Sequence, residues 1–285
     1  MASETNQLAA LPNRRLGSLI APREHGAWGL LLVPLVTGGV VGFLAGGYSL
    51  PLIALTIAAL GLFWLRTPAE SLLGTGLMHA QTAQERRTVG ITIVILVKIV
   101  AVALAALFWN GRNLELLLLG LIAAFAFAAQ AALRRLGRST RMLSQIIGTV
   151  GLTITAPAAY YVVTGELNSQ AWTLWMANFL FATNQIHFVQ LRIHSVRLRG
   201  WKQKFQHGCW FLVGEAALVV ALVLAWRFHV VPWLAVLAFL PLLIRGTAWF
   251  FERQQALLVR RLGWTELAYA VIFGVCLIAG FHIGY

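Results

Sequence analysis

VGITIVILVKIVAVALAALFW, residues 89–109, holds one charged side chain, Lys98, in a run long enough to cross a bilayer as a helix. A hydrocarbon core of about 30 Å needs about 20 helical residues. The run shows no period-two alternation and is about twice the length of a barrel strand. An open sheet would leave backbone groups unbonded in lipid. A transmembrane helix is therefore the reading, and it extends to the rest of the chain.

Eight further runs resemble it: roughly 26–46, 49–65, 114–133, 144–163, 171–191, 209–228, 231–251 and 264–284. With 59% hydrophobic and 11% charged residues among 285, the chain has more apolar surface than one soluble core can bury. The expectation is an all-α, polytopic bundle of about nine spans, with a tail at 1–22 and one transmembrane domain at 23–285. The first run is too long for a signal h-region and lacks a small-residue cleavage pattern, so no cleaved peptide is expected. Cys209 and Cys276 fall in different apolar runs and show no framework spacing, so no disulfide is expected.

Net charge of +13 raises the question of nucleic acid, but the basic residues are spread over short connections without an aromatic-basic groove. They sort by side instead. Eighteen of the 22 Lys and Arg fall on one face of the nine-span map, Arg112 and Arg227 on the other, and Lys98 and Arg245 within spans. The positive-inside rule then places the N-terminus in the cytoplasm and the C-terminus outside. All eleven Trp residues fall near predicted span ends, as an aromatic belt requires. The longest connection, from Arg66 to Thr88, reads as a candidate surface helix.

Charged and polar groups inside spans are the candidate functional residues, since each costs roughly 2.5–3.5 kcal/mol on insertion scales unless paired or hydrated. Lys98 lies roughly 14 Å into its span. Glu215 and Arg245 both lie about 10 Å from the inner ends of neighbouring antiparallel spans, where an ion pair between them is expected. The sixth run carries Asn184, Gln185, His187 and Gln190, with Asn184, His187, Gln190 and His194 in one sector and Asn178 and Gln185 opposite. That sector reads either as the wall of a cavity or as hydrogen-bonding glue between helices. Arg66 and Glu70 are spaced to pair, although Pro68 interrupts them. Thr265 and Glu266 read as a helix cap. Arg23, Glu24 and His25 stand at the entrance of the first span, with Gly26 and Ala27 permitting close approach of a helix or ligand.

Pro22-Arg23-Glu24-His25-Gly26-Ala27-Trp28, entering a span with Pro34, resembles the opening of the YwiC-like family of bacterial integral membrane proteins, and Arg261-Leu262-Gly263-Trp264-Thr265-Glu266 extends the likeness towards the end. The resemblance implies a bacterial inner (cytoplasmic) membrane location. A more distant, architectural resemblance is to UbiA-type prenyltransferases, with nine helices and polar inner ends at spans two and six. It implies a cytoplasm-facing cavity for an isoprenoid or other amphipathic lipid, and binding residues at Arg23, Glu24, His25, Arg66, Glu70, Asn184, Gln185, His187 and Gln190. Those enzymes hold magnesium on Asp-rich motifs, whereas this chain has no aspartate and all nine acids are Glu. Magnesium is thus unsupported by any such motif, and no metal site is assigned.

Three functions remain open. The first is an atypical, aspartate-free prenyltransferase or lipid-binding bundle. The second is a carrier using Lys98 and the Glu215/Arg245 pair, although no repeated pair of Gly/Pro-broken spans stands out. The third is a non-catalytic assembly subunit.

Overall fold

The structure, a computed structural model, describes residues 15–21, 25–48, 50–74, 78–109, 111, 114–137, 140–196, 200–252 and 258–284. The regular elements among them are all helical: α1 His25–Leu44, α2 Leu50–Leu73, α3 Ala83–Trp109, α4 Leu114–Arg135, α5 Arg141–Thr153, α6 Thr155–Thr164, α7 Ser169–His194, α8 Trp201–Arg227, α9 Trp233–Leu237, α10 Leu240–Phe251 and α11 Val259–Gly284. Each apolar run of the sequence coincides with one helix or with a consecutive pair. Among the described residues, seven stretches are long and apolar enough to cross a membrane; α1 contributes a shorter apolar helix, and the more polar α7 is not among the seven. Their outer surfaces carry exposed Val102, Phe125, Trp210 and Val220, the pattern of a protein solvated by lipid rather than water.

The chain forms two compact units: Met1–His25 with Leu50–Arg112, and Gly26–Ser49 with Asn113–Tyr285. In the first, α2 and α3 pack closely enough that a Cβ on Gly61 would lie 2.6 Å from Val100 Cγ2. Thr82-Ala83-Gln84-Glu85 starts α3 as a capping box. Thr82 Oγ1 accepts from the Glu85 N–H at 3.1 Å, and Glu85 Oε2 accepts from the Thr82 N–H at 3.1 Å and the Gln81 N–H at 2.7 Å. Arg15, at the start of a helical stretch over 15–20, pairs with the other oxygen of Glu85 at 2.8 Å. Leu19, Ala80 and Val89 close a small apolar cluster there.

The expected surface helix between Arg66 and Thr88 is not what forms. Helix α2 runs through Pro68 to Leu73, and α3 already begins at Ala83. Pro68 removes one backbone donor from a long helix, while Ser71 Oγ donates to the Pro68 carbonyl at 2.9 Å. The Ala-Glu-Ser-Leu-Leu that follows contains good helix formers, so the loss of one bond does not end the element.

In the second unit, α5 and α6 make the most buried of the seven stretches. They are one span broken at Ile154, where Pro157 has no N–H to give the Thr153 carbonyl. A second span, α9 and α10, breaks at Ala238 and Phe239, where Pro241 likewise cannot bond the Leu237 carbonyl. Two candidate spans are thus interrupted beside a proline while remaining apolar throughout. Helix α1 lies against α6 through small residues: a Cβ on Gly38 would come 2.0 Å from the Ala156 carbonyl oxygen, and one on Gly42 would come 3.2 Å from Val163 Cβ. This close approach is the role of small-xxx-small spacing in lipid. The core joins Val41 of α1, Tyr160 of α6, Phe181 of α7, Leu218 of α8, Phe239 and Leu242, and Phe273 and Leu277 of α11.

Candidate functional site

Four helices of the second unit bring polar side chains to one level. On α7, Asn184 and Gln185 fall between Phe181, in the main core, and Phe188, in a second aromatic cluster. On α8, Glu215 falls between Leu218 of the core and Phe211 of that cluster; on α10, Arg245 falls between Leu242 and Trp249. Glu266 of α11 joins them one turn before Ala270. The result is a polar layer held between two apolar ones, where water is scarce and each hydrogen bond matters more.

Arg245 is the centre of the layer. Its Nη1 forms an ion pair with Glu266 Oε2, and the two side chains are only 8% and 6% exposed. The guanidinium carbon lies 4.1 Å from the Phe188 ring centroid and 4.9 Å from that of Tyr269, so the cation is placed between two aromatic faces. Glu215 Oε1 accepts from Asn184 Nδ2 at 2.8 Å, and Gln185 Nε2 donates to the Glu266 carbonyl at 2.8 Å. Gly246 makes room for Glu215, since a Cβ there would sit 2.7 Å from Oε1.

The expected Glu215–Arg245 ion pair is thereby corrected. The direct partner of Arg245 is Glu266, and Glu215 is held by Asn184. Glu266 is no cap: α11 begins at Val259, two turns earlier, and Thr265 Oγ1 donates to the Leu262 carbonyl at 2.8 Å. Depth along a helix was readable from spacing; rotation about its axis, which selects the partner, was not.

Bonding in this layer is incomplete. Asn184 Oδ1, Glu215 Oε2, Glu266 Oε1, Arg245 Nε and Arg245 Nη2 are all buried without a hydrogen-bond partner. Three acceptors and two donors in one buried layer are far from the near-complete pairing usual in protein interiors. Such a set can receive a ligand with both polarities.

The other candidates divide. His187 is half-buried, its ring edge-on to Phe211 at 5.2 Å between centroids. Gln190 Nε2 donates to Gln145 Oε1 of α5 at 3.0 Å, and Asn178 Nδ2 donates to Thr37 Oγ1 of α1 at 3.1 Å. These two are interhelical bonds of the bundle. Arg66 Nε and Glu70 Oε1 pair at 2.9 Å in the first unit, and Lys98 is exposed on α3. Arg23 and Glu24, and the side chain of His25, lie outside the described residues.

Lys204, counted in the sequence only as a connecting charge, is 5% exposed. Its Nζ donates to the Trp249 and Glu252 carbonyls at 3.0 and 2.7 Å, closing the C-terminus of α10 as a cation does favourably. Among the described residues, no group of three or more His, Cys, Asp or Glu side chains converges as a metal site. The donor set of the polar layer does not fit magnesium either. A guanidinium is already ion-paired with one of its two carboxylates, and a divalent cation beside it would be repelled.

A search of curated proteins and one of solved structures return no match. The family model described as YwiC-like protein matches residues 21–160, from the entrance of α1 through most of α6. The match stops short of the 261–266 stretch and does not reach the polar layer. With its apolar helices, this chain is a multi-pass integral membrane protein whose residues 21–160 are similar to the YwiC-like family.

Proposed function

We propose that this protein is a lipid-binding bundle of the bacterial cytoplasmic membrane, N-terminus inside, whose polar layer receives the headgroup of an isoprenoid or other amphipathic lipid. The carrying observation is the unsatisfied set on Asn184, Glu215, Arg245 and Glu266. Arg245 offers two donors to a phosphate or hydroxyl oxygen, while the carboxylates and the amide oxygen offer acceptors to a hydroxyl or ammonium. The aromatic side chains beside the layer suit an apolar chain. Nothing in this donor set supports Asp-rich magnesium chemistry, so prenyl transfer, if catalysed, would use an aspartate-free arrangement. UbiA-like architecture remains part of this reading through the nine apolar runs and the basic inner side.

The test is thermal unfolding of the purified protein in detergent, with and without an isoprenyl diphosphate or isoprenol. Stabilisation of the native protein, lost in Arg245→Gln, supports the reading. No shift with any isoprenoid, and none co-purifying by mass spectrometry, overturns it.

A carrier is the second reading, favoured by the two proline-interrupted spans, since broken helices expose backbone groups at substrate sites. Substrate flux in proteoliposomes that depends on Arg245 would select it over the first.

A further inference from the structure

Charge in the polar layer does not balance. Two carboxylates, Glu215 and Glu266, and one guanidinium, Arg245, are buried together, which leaves one negative charge in a low-dielectric interior if all three are ionised. Such a charge is strongly disfavoured without a counter-ion. We propose that the layer holds one exchangeable proton, carried by Glu215.

The bonding pattern selects the carboxylate. Glu266 is in direct contact with the guanidinium, which favours its charged form. Glu215 accepts one amide hydrogen from Asn184 on Oε1, and its Oε2 has no partner. A proton on Oε2 makes the group neutral and adds a donor to a layer short of partners. Among the described residues, no second buried cation is paired with Glu215. From α10, Gly246 lies against it, and Arg245 is ion-paired with Glu266 of α11; from α7, Asn184 bonds it and the half-buried His187 follows one turn on. Arg192, further along α7, is paired with Glu252 at 3.7 Å. On α8 itself Lys204 is bound to carbonyls and His207 is exposed. His187 Nδ1 lies 3.6 Å from where a Cβ of Gly214 would stand, which puts a titratable ring against α8 one residue from Glu215. A ligand bearing its own positive charge would displace that proton, which couples binding to proton release.

Infrared difference spectroscopy of the purified full chain in lipid nanodiscs, without added ligand, reads this directly. The expected result is a protonated-carboxyl C=O band that shifts in D₂O and disappears in Glu215→Gln. Glu266→Gln balances Arg245 with Glu215 alone, so the band is also expected to vanish there. Arg245→Gln leaves two carboxylates without a cation, and the band is expected to double. A native protein without the band overturns the proposal, as it would if His187 or sodium supplied the charge; so does a band that survives unchanged in both glutamate variants. Because no lipid is added, failure here is separable from failure of the lipid-binding reading, which the thermal shift decides.

Discussion

Two Arg–Glu pairs show what separates a structural polar contact from a site. At the start of α3, Glu85 gives one oxygen to Arg15 and the other to two backbone N–H groups, and Thr82 returns the favour to the Glu85 amide. Every strong partner is used, and Arg15 remains 42% exposed. In the polar layer, Arg245 and Glu266 are nearly sealed, yet two donors and one acceptor of the pair are left over, with Asn184 and Glu215 adding two more acceptors. Both pairs have short contacts. Only the second has bonding capacity to spare in a place where water cannot supply it.

Arg245→Ala should break the contrast most strongly. Removing one partner of a buried ion pair costs about 3–5 kcal/mol, which equilibrium unfolding in mixed micelles would register; a loss under about 1 kcal/mol would mean the layer is hydrated rather than buried. Gly246→Ala comes next. Its methyl would press on Glu215 Oε1 at 2.7 Å and on the Phe211 ring at 3.1 Å, an overpacking expected to cost about 1–3 kcal/mol. If stability is unchanged, Glu215 has freedom to move away. Thr82→Ala removes half of the capping box and should cost about 1 kcal/mol, detectable as faster amide exchange at the start of α3 with the polar layer untouched. Lys98→Ala sits on the exposed side of α3 and should change stability by less than about 0.5 kcal/mol. A large loss there would show that Lys98 has a partner, and loss of solute flux would move the carrier reading ahead.

Much of the fold could be read from the chain because lipid enforces long apolar runs, and all nine runs became helices. Their ends were less legible. Helix α8 starts at Trp201, eight residues before its apolar run, and α11 at Val259, since charged turns continue a helix beyond the hydrocarbon. Glu215 and Arg245 were correctly set at the same depth by counting residues. Glu266 was misread because a Thr-Glu pair looks like a cap when the true helix start is hidden in polar sequence. The breaks near Pro157 and Pro241 are not legible for a related reason: apolar composition reports burial in lipid, not the continuity of the hydrogen-bond ladder. Lys204 gave no signal at all, since its partners are carbonyls of a distant helix end.

The seat of α1 against α6 also has a consequence for synthesis. The Thr155 hydroxyl reaches the Leu31 carbonyl across 124 positions of sequence, and Gly38 rests on the Ala156 backbone. At translation speeds of about 5–20 residues per second, the first helix leaves the ribosome roughly 6–25 s before the surface it fits has been made. Throughout that interval its glycine face has only lipid or the insertion machinery to lean on. Bundle assembly is therefore a late event in the life of the nascent chain, and a truncation before residue 155 would strand α1 in the bilayer without its mate.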